Sequence, residues 1–218
     1  SQDHHIIVTA GHHEVEGGYQ LPAEDLDALI SILEKENPDI VISCMRGDFQ
    51  AQYRFHGTLA DWLGGKAKRL LFISTANVFD GDMSQPWTEE AQPNPGSDYG
   101  KYKRDCEAML EHKLSGQLII FRIPSVWAPD CPRIQLLREH SASREPLAAY
   151  PNDHVNVTLT DQVGACAKYV LDHDLKGIFH IGSRDTVDYY EFQKMVCDQL
   201  EIPYPVFELE HSPDKVYQ

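Results

Sequence analysis

The chain has 218 residues, with 34 acidic against 19 basic side chains and a formal charge of −15 at neutral pH. This length suits one domain, or a domain with a small appended lobe, and the carboxylate excess without any lysine- or arginine-rich stripe excludes the electrostatic footprint of a nucleic-acid binder. The longest apolar runs, such as Leu118-Ile119-Ile120-Phe121, are strand-sized, and no basic-then-apolar leader opens the chain, so the reading is of a cytoplasmic protein with no membrane partner.

In chain order, His5-Ile6-Ile7-Val8-Thr9 reads as a first strand. From Ala23 an acidic start followed by Leu26, Leu29, Ile30 and Leu33 predicts a helix that Asn37-Pro38 stops. Asp39-Ile40-Val41-Ile42-Ser43, with three consecutive apolar residues, predicts a strand covered on both faces. A helix is expected from Gln50 to Leu63, ended by Gly64-Gly65, and a strand from Leu70 to Ser74. A polar, proline-containing loop leads to a helix from Tyr99 to His112 and a strand from Gln117 to Arg122. Pro129 to Pro151 has weak periodicity and reads as an insertion outside the sheet. Thr160 to Leu171 predicts a helix, Gly177 to Ile181 a strand and Val187 to Leu200 a last helix. Strands alternating with amphipathic helices indicate an α/β fold built on a parallel sheet. Cys44, Cys106, Cys131, Cys166 and Cys197 are odd in number and never spaced Cys-x-x-Cys, so they are expected as buried free thiols.

One set of residues suits proton transfer coupled to hydride transfer. A carbonyl that receives hydride needs a proton at its oxygen, and tyrosine supplies it only when its pKa falls below the ordinary value of about 10. A cationic lysine nearby moves it that way. Tyr99 and Lys103 stand four apart on one helical face, and Thr75 or Ser74 places a hydroxyl at a strand end upstream. The spacing alone decides little, because Tyr190-Glu191-Phe192-Gln193-Lys194 repeats it late in the chain without a strand-end hydroxyl pair; that copy reads as a surface or packing pair.

The run Ser74-Thr75-Ala76-Asn77-Val78-Phe79-Asp80-Gly81, the proline-containing loop and Tyr99-Gly100-Lys101-Tyr102-Lys103 resemble the extended short-chain dehydrogenase/reductase family, most closely its dTDP-4-dehydrorhamnose reductase branch. Arg122-Ile123-Pro124-Ser125-Val126-Trp127-Ala128-Pro129 is similar to a further family motif, with Ser125, Trp127 and Ala128 as departures, and Gly177-Ile178-Phe179-His180-Ile181 matches a late family strand. The resemblance implies a doubly wound, Rossmann-like parallel sheet over residues 1–128 and 157–182, and a small substrate lobe from 129–156 and 183–218. It implies NADP or NAD as cofactor and a small-molecule substrate, a sugar nucleotide, with a homodimer left open. Tyr99 would be the general acid, Lys103 would lower its pKa and bind the nicotinamide ribose, and Thr75 would hold the substrate oxygen. Ser74, Ile123, Pro124 and Ser125 would approach the cofactor; Cys44, Met45 and Arg46 fall where the family's backbone passes it, although the family usually has small residues there. Val126 and Trp127 would line the substrate pocket, the other reading of Trp127 being packing.

A dinucleotide fold needs a glycine-rich turn that brings backbone N–H groups to the pyrophosphate, and no Gly-x-x-Gly-x-x-Gly occurs in this chain. Either Ile6 to Gly11 is a degenerate first strand with Gly17 and Gly18 as loop remnants, or it is the family's second strand and the first strand and glycine loop lie outside this chain. The spacing into Leu26 and on to Pro38 favours the second. His12 and His13 would then meet the adenosine ribose, where an imidazole suits a 2′-phosphate, or form a plain polar loop. No metal is expected, since the His4-His5 and His12-His13 pairs point to opposite faces of a strand and no cluster completes a site. Two further readings stay open: a non-catalytic binding or regulatory protein on the same scaffold, and an epimerase or dehydratase, the latter weakened by Ala76-Asn77 where dehydratases carry an acidic pair.

Overall fold

The computed structural model describes residues 4–211 and 216–217. The chain divides into two compact units, Ser1–Ile73 with Asp105–Ile120, and Ser74–Arg104 with Phe121–Gln218.

The first strand begins later than its sequence suggests. β1 is Thr9–Ala10, paired in parallel with β2, Tyr19–Gln20. Ile6 and Val8 are 76% and 50% exposed, so the apolar run His5–Thr9 is not a core strand here. α1, Leu26–Glu36, starts after Asp25, whose carboxylate accepts the Ala28 N–H, and ends at Asn37 in the left-handed conformation, the stop that Asn37-Pro38 predicts. β3, Ile40–Ser43, follows. α2, Phe49–Leu63, is capped by Asp48, which accepts the Ala51 N–H. β4 is Arg69–Thr75, a 3-10 turn spans Ala76–Phe79, α3 is Asp98–Lys113 and β5 is Leu118–Ile123. β3 lies parallel to β4 with Ile40 opposite Arg69 and Ser43 opposite Phe72. Leu59, Leu63, Leu70, Leu71, Leu110 and Ile119 are fully buried and form the apolar interior of this unit.

The expectation that β3 is covered on both faces is corrected by Ile42, which is half-exposed. The sheet runs β10-β5-β4-β3, where β10 is Gly177–His180, so β3 is its edge strand among the described residues. The thiols are also corrected. Cys106 and Cys197 are buried, but Cys131 and Cys166 are only partly so, and Cys44, in the turn after β3, is exposed.

Beyond β5, β6 (Ser125–Trp127) lies parallel to β9 (Val157–Leu159), and β8 (Asp153–Val155) pairs with β11 (Val187–Asp188) and β13 (Val216–Tyr217). The weakly periodic stretch read as an insertion outside the sheet holds α4, Pro132–Ser143, with proline in its first turn and Ile134, Leu137 and Ser141 buried at helical spacing. β7, Pro146–Ala149, then pairs in parallel with β12, Val206–Leu209. α5 is Thr160–Asp172, and α6, Tyr189–Gln199, begins at Asp188, whose carboxylate accepts the N–H groups of Tyr190 and Glu191. Trp127, Ile134, Leu137, Leu147 and Cys197 form a buried cluster, with Phe192, Val196 and Phe207 packed against it. Among the described residues no helix is long and apolar enough to cross a membrane.

Candidate active site

β4 ends by delivering two hydroxyls, Ser74 and Thr75, at 2% and 6% exposure. Thr75 keeps an extended backbone and caps the 3-10 turn: its Oγ1 accepts the Asn77 N–H at 3.2 Å and donates to Asn77 Oδ1 at 2.9 Å. The strand's last hydroxyl is thereby held at the mouth of a turn instead of rotating freely.

The start of α3 is built with equal care. Ser97 Oγ accepts the Gly100 N–H at 3.0 Å, an N-cap that satisfies one of the helix's free donors. Asp80, just past the 3-10 turn, reaches across to this cap. Its Oδ1 accepts from the Gly96 and Ser97 N–H groups at 2.6 and 3.0 Å, and its Oδ2 accepts from Ser97 Oγ and, at 3.4 Å, from Asn77 Nδ2. Partial burial works against ionising Asp80, but these donors outweigh it and hold the carboxyl below the ordinary range. The two segments touch: a Cβ on Gly100 would sit 2.2 Å from the Asn77 carbonyl oxygen, so this position of α3 requires glycine.

On that helix Tyr99 is 39% exposed, whereas Lys103, one turn on, is 4% exposed with its Nζ 6.0 Å from the Tyr99 ring centroid. The second tyrosine and lysine pair differs in kind. Lys194 Nζ is closer to its ring, 4.9 Å from the Tyr190 centroid, but it is only partly buried and is bonded at 2.9 Å to both carboxylate oxygens of Glu191, which raise its pKa. Its charge is spent on a neighbouring carboxylate.

A second anchor fixes the intervening loop. Trp87 stacks on Phe79 at 6.0 Å between centroids and donates its indole N–H to the Asp82 carbonyl at 2.8 Å. Glu89 Oε1 accepts the His180 N–H at 3.0 Å, while the Arg122 guanidinium lies 5.1 Å from the Phe79 ring centroid. Burial disfavours the Glu89 anion, yet the His180 N–H, with the charge of Arg122 behind it, keeps its pKa lowered.

Ser74, Thr75, Tyr99, Lys103, Ile123, Pro124, Ser125, Val126 and Trp127 therefore share one unit, and His12, His13, Cys44, Met45 and Arg46 belong to the other. Ile123 to Val126 are half-buried. Pro124 closes on Gly182, where a Cβ would lie 3.2 Å from Pro124 Cγ and 2.0 Å from Asn156 Oδ1. Trp127, expected at the substrate pocket, is instead 3% exposed with its ring edge-on to Phe192 at 4.9 Å, because β6 turns that side chain into the cluster with α4 and α6. His12 and His13 are exposed in the bend after β1, and Cys44 and Arg46 are exposed beside Gly47 in the turn after β3, with Met45 partly covered. Asn77 and Ser97 escaped the sequence reading of the site. A serine three residues before Gly100 and two before Tyr99 is the N-cap signal that identifies Ser97; Asn77 has no comparable signal.

A family model described as the RmlD substrate binding domain matches residues 2–213. The chain belongs to this family. Among solved structures, the chain is similar to a hypothetical dTDP-4-dehydrorhamnose reductase from Sulfolobus tokodaii, 18% identical with a TM-score of 0.82 over 98% of this chain and 79% of that one. A dTDP-4-dehydrorhamnose reductase from Bacillus anthracis, solved in complex with NADP, is 15% identical with a TM-score of 0.78, over 90% of this chain and 75% of that one. These likenesses establish the Rossmann-like α/β fold. In sequence, the chain is 27% identical to methionine adenosyltransferase 2 subunit beta of Rattus norvegicus over 190 residues, 80% of this chain and 55% of that protein. It thus spans about half the length of that relative.

Proposed function

We propose that this RmlD-family chain carries the proton-handling half of an NAD(P)H-dependent reductase acting on the keto group of a nucleotide-linked or similar sugar. One observation carries the reading: Lys103 is buried one helical turn from the exposed Tyr99 side chain, with its Nζ 6.0 Å from the centroid of that ring. A cation in low dielectric acts strongly on a phenol within reach, which suits Tyr99 to give its proton to a developing alkoxide. Thr75 supplies a hydroxyl whose oxygen stays held by the Asn77 N–H while its proton is given to the substrate oxygen in place of Asn77 Oδ1. Val126, half-buried in β6, borders the substrate; Trp127 backs that strand from within the lobe formed by 129–156 and 183–218.

The nicotinamide end of NADP or NAD fits the residues present: a buried lysine to hold the ribose hydroxyls, Ser74, and the half-buried Ile123-Pro124-Ser125 run. When bound, the cofactor supplies hydride.

A second reading is a regulatory subunit that keeps the scaffold without turnover, favoured by the similarity to methionine adenosyltransferase 2 subunit beta. Titration with NADPH and NADH, followed by nicotinamide fluorescence, together with NADPH oxidation in the presence of dTDP-4-dehydrorhamnose, separates the two. Binding with turnover supports the reductase, binding without turnover supports the regulatory subunit, and binding of neither nucleotide removes the enzyme.

A further inference from the structure

We infer that Asp80 is a positioning residue of the reductase site: it locks the turn that holds the Thr75 hydroxyl to the helix start that carries Tyr99. The inference rests on the reductase reading of Thr75 and Tyr99, and goes beyond it to a residue that touches neither substrate nor cofactor.

Two hydroxyl groups from distant parts of the chain must meet one substrate oxygen, and nothing covalent fixes their separation over the loop from Gly81 to Ser97. Asp80 connects them in two directions. Toward the strand, its Oδ2 accepts from Asn77 Nδ2 at 3.4 Å, which leaves Asn77 Oδ1 turned to the Thr75 hydroxyl at 2.9 Å. Because a carboxylate only accepts, it dictates which end of the Asn77 amide faces Thr75. Toward the helix, Asp80 accepts two backbone N–H groups and the Ser97 hydroxyl, and Ser97 in turn accepts the Gly100 N–H beside Tyr99. The direct approach of Gly100 to Asn77 closes the ring of contacts.

Asp82, two residues away, shows what an ordinary loop cap does. It accepts only from the Ser84 N–H and Ser84 Oγ, at 3.0 and 2.6 Å, and links no distant segments. Both carboxyls are held below the ordinary range by their donors, so charge alone does not set Asp80 apart; the segments that it joins do. Displacing a reacting group by about 1 Å costs on the order of 100-fold in rate.

The test is steady-state NADPH oxidation with dTDP-4-dehydrorhamnose as the probe ketone, for wild type, Asp80→Ala, Asp80→Asn and Asp82→Ala, each checked for folding by circular dichroism. Asp80→Ala should lower kcat by about 10- to 100-fold with KM within about twofold. Asp80→Asn keeps an oxygen for the Gly96 and Ser97 N–H groups and should recover part of the loss. Asp82→Ala should leave kcat unchanged. An unchanged kcat in folded Asp80→Ala, or an equal fall in Asp82→Ala, overturns the inference while leaving the reductase intact. Should Asp80→Ala fail to fold, a wild-type kcat in folded Asp80→Asn does the same. No turnover by the wild-type protein overturns the reductase reading and this inference together.

Discussion

Lys103 Nζ lies 6.0 Å from the centroid of the Tyr99 ring, with the lysine buried and the phenol open to solvent. This arrangement sets a buried lysine, poorly screened by water, beside a ring that solvent and a substrate can reach. Tyr99→Phe should therefore cut carbonyl reduction by about 100- to 10,000-fold, the range for losing a positioned acid, without lowering the melting temperature. Tyr190→Phe should leave turnover unchanged, since Lys194 is committed to Glu191. NADPH oxidation rates and thermal melts of the two variants decide it; undiminished turnover in Tyr99→Phe removes the assignment.

Gly100→Ala tests the seating of α3. In an unstrained helix the change would stabilise by about 1 kcal/mol through propensity. Here the new Cβ would stand 2.2 Å from the Asn77 carbonyl oxygen and 2.8 Å from Pro95 Cβ, so one segment must move. Overpacking of this kind costs about 1–3 kcal/mol, and the clash should win. Thermal melts should show a lowered melting temperature, and reduction should fall with it because Tyr99 precedes the displaced residue. A stabilised variant with full activity would show that the contact is slack.

What the sequence made legible follows from where the physics is local. α1 and α2 are bracketed by Asp25, Asn37, Asp48 and Gly64, whose capping chemistry is written in the residues themselves, and the elements lie where the pattern places them. β1, β2 and β11 have two residues each and exist only through pairing with distant partners, so no run of residues announces them. Ile42 reads as core because it is apolar, yet its exposure depends on whether a strand lies beside β3, which is a tertiary fact. The site divides in the same way. Tyr99 and Lys103 were visible as a spacing behind a strand-end hydroxyl pair that Tyr190 and Lys194 lack, and burial of Lys103 adds a difference that no local pattern announces. Asp80 stands in the run Ser74–Gly81 with nothing local to mark its role, because its reach to Gly96 and Ser97 spans 16 and 17 residues.

Acid should weaken this tie in a definite direction. The Asp80 pKa is lowered in the folded protein, its donors outweighing burial, so its contribution to stability is complete above the unfolded value of about 3.9 and disappears as pH falls through the lower folded value. Glu89 acts in the same sense. Asp80→Asn should therefore melt below wild type at neutral pH, and the gap should narrow as pH drops from about 5 toward 3. Melting curves across that range read it directly. A gap that is constant with pH would mean that the charge of Asp80 contributes nothing to holding the loop.

Trp127 separates substrate contact from core support. Its ring is 3% exposed and meets Phe192 edge-on, and its indole N–H is buried with no acceptor among the described residues. Trp127→Ala removes the centre of the lobe cluster and should cost about 3–5 kcal/mol. Trp127→Phe keeps an aromatic edge against Phe192 and also discards an unsatisfied donor, whose desolvation costs about 1–3 kcal/mol, so it should destabilise far less. Because the side chain points into the core, the Phe variant should retain its KM within about twofold. Melting temperatures together with KM for dTDP-4-dehydrorhamnose distinguish the roles: a stable Trp127→Phe protein whose KM rises tenfold would put the indole in contact with substrate and require the lobe to open around it.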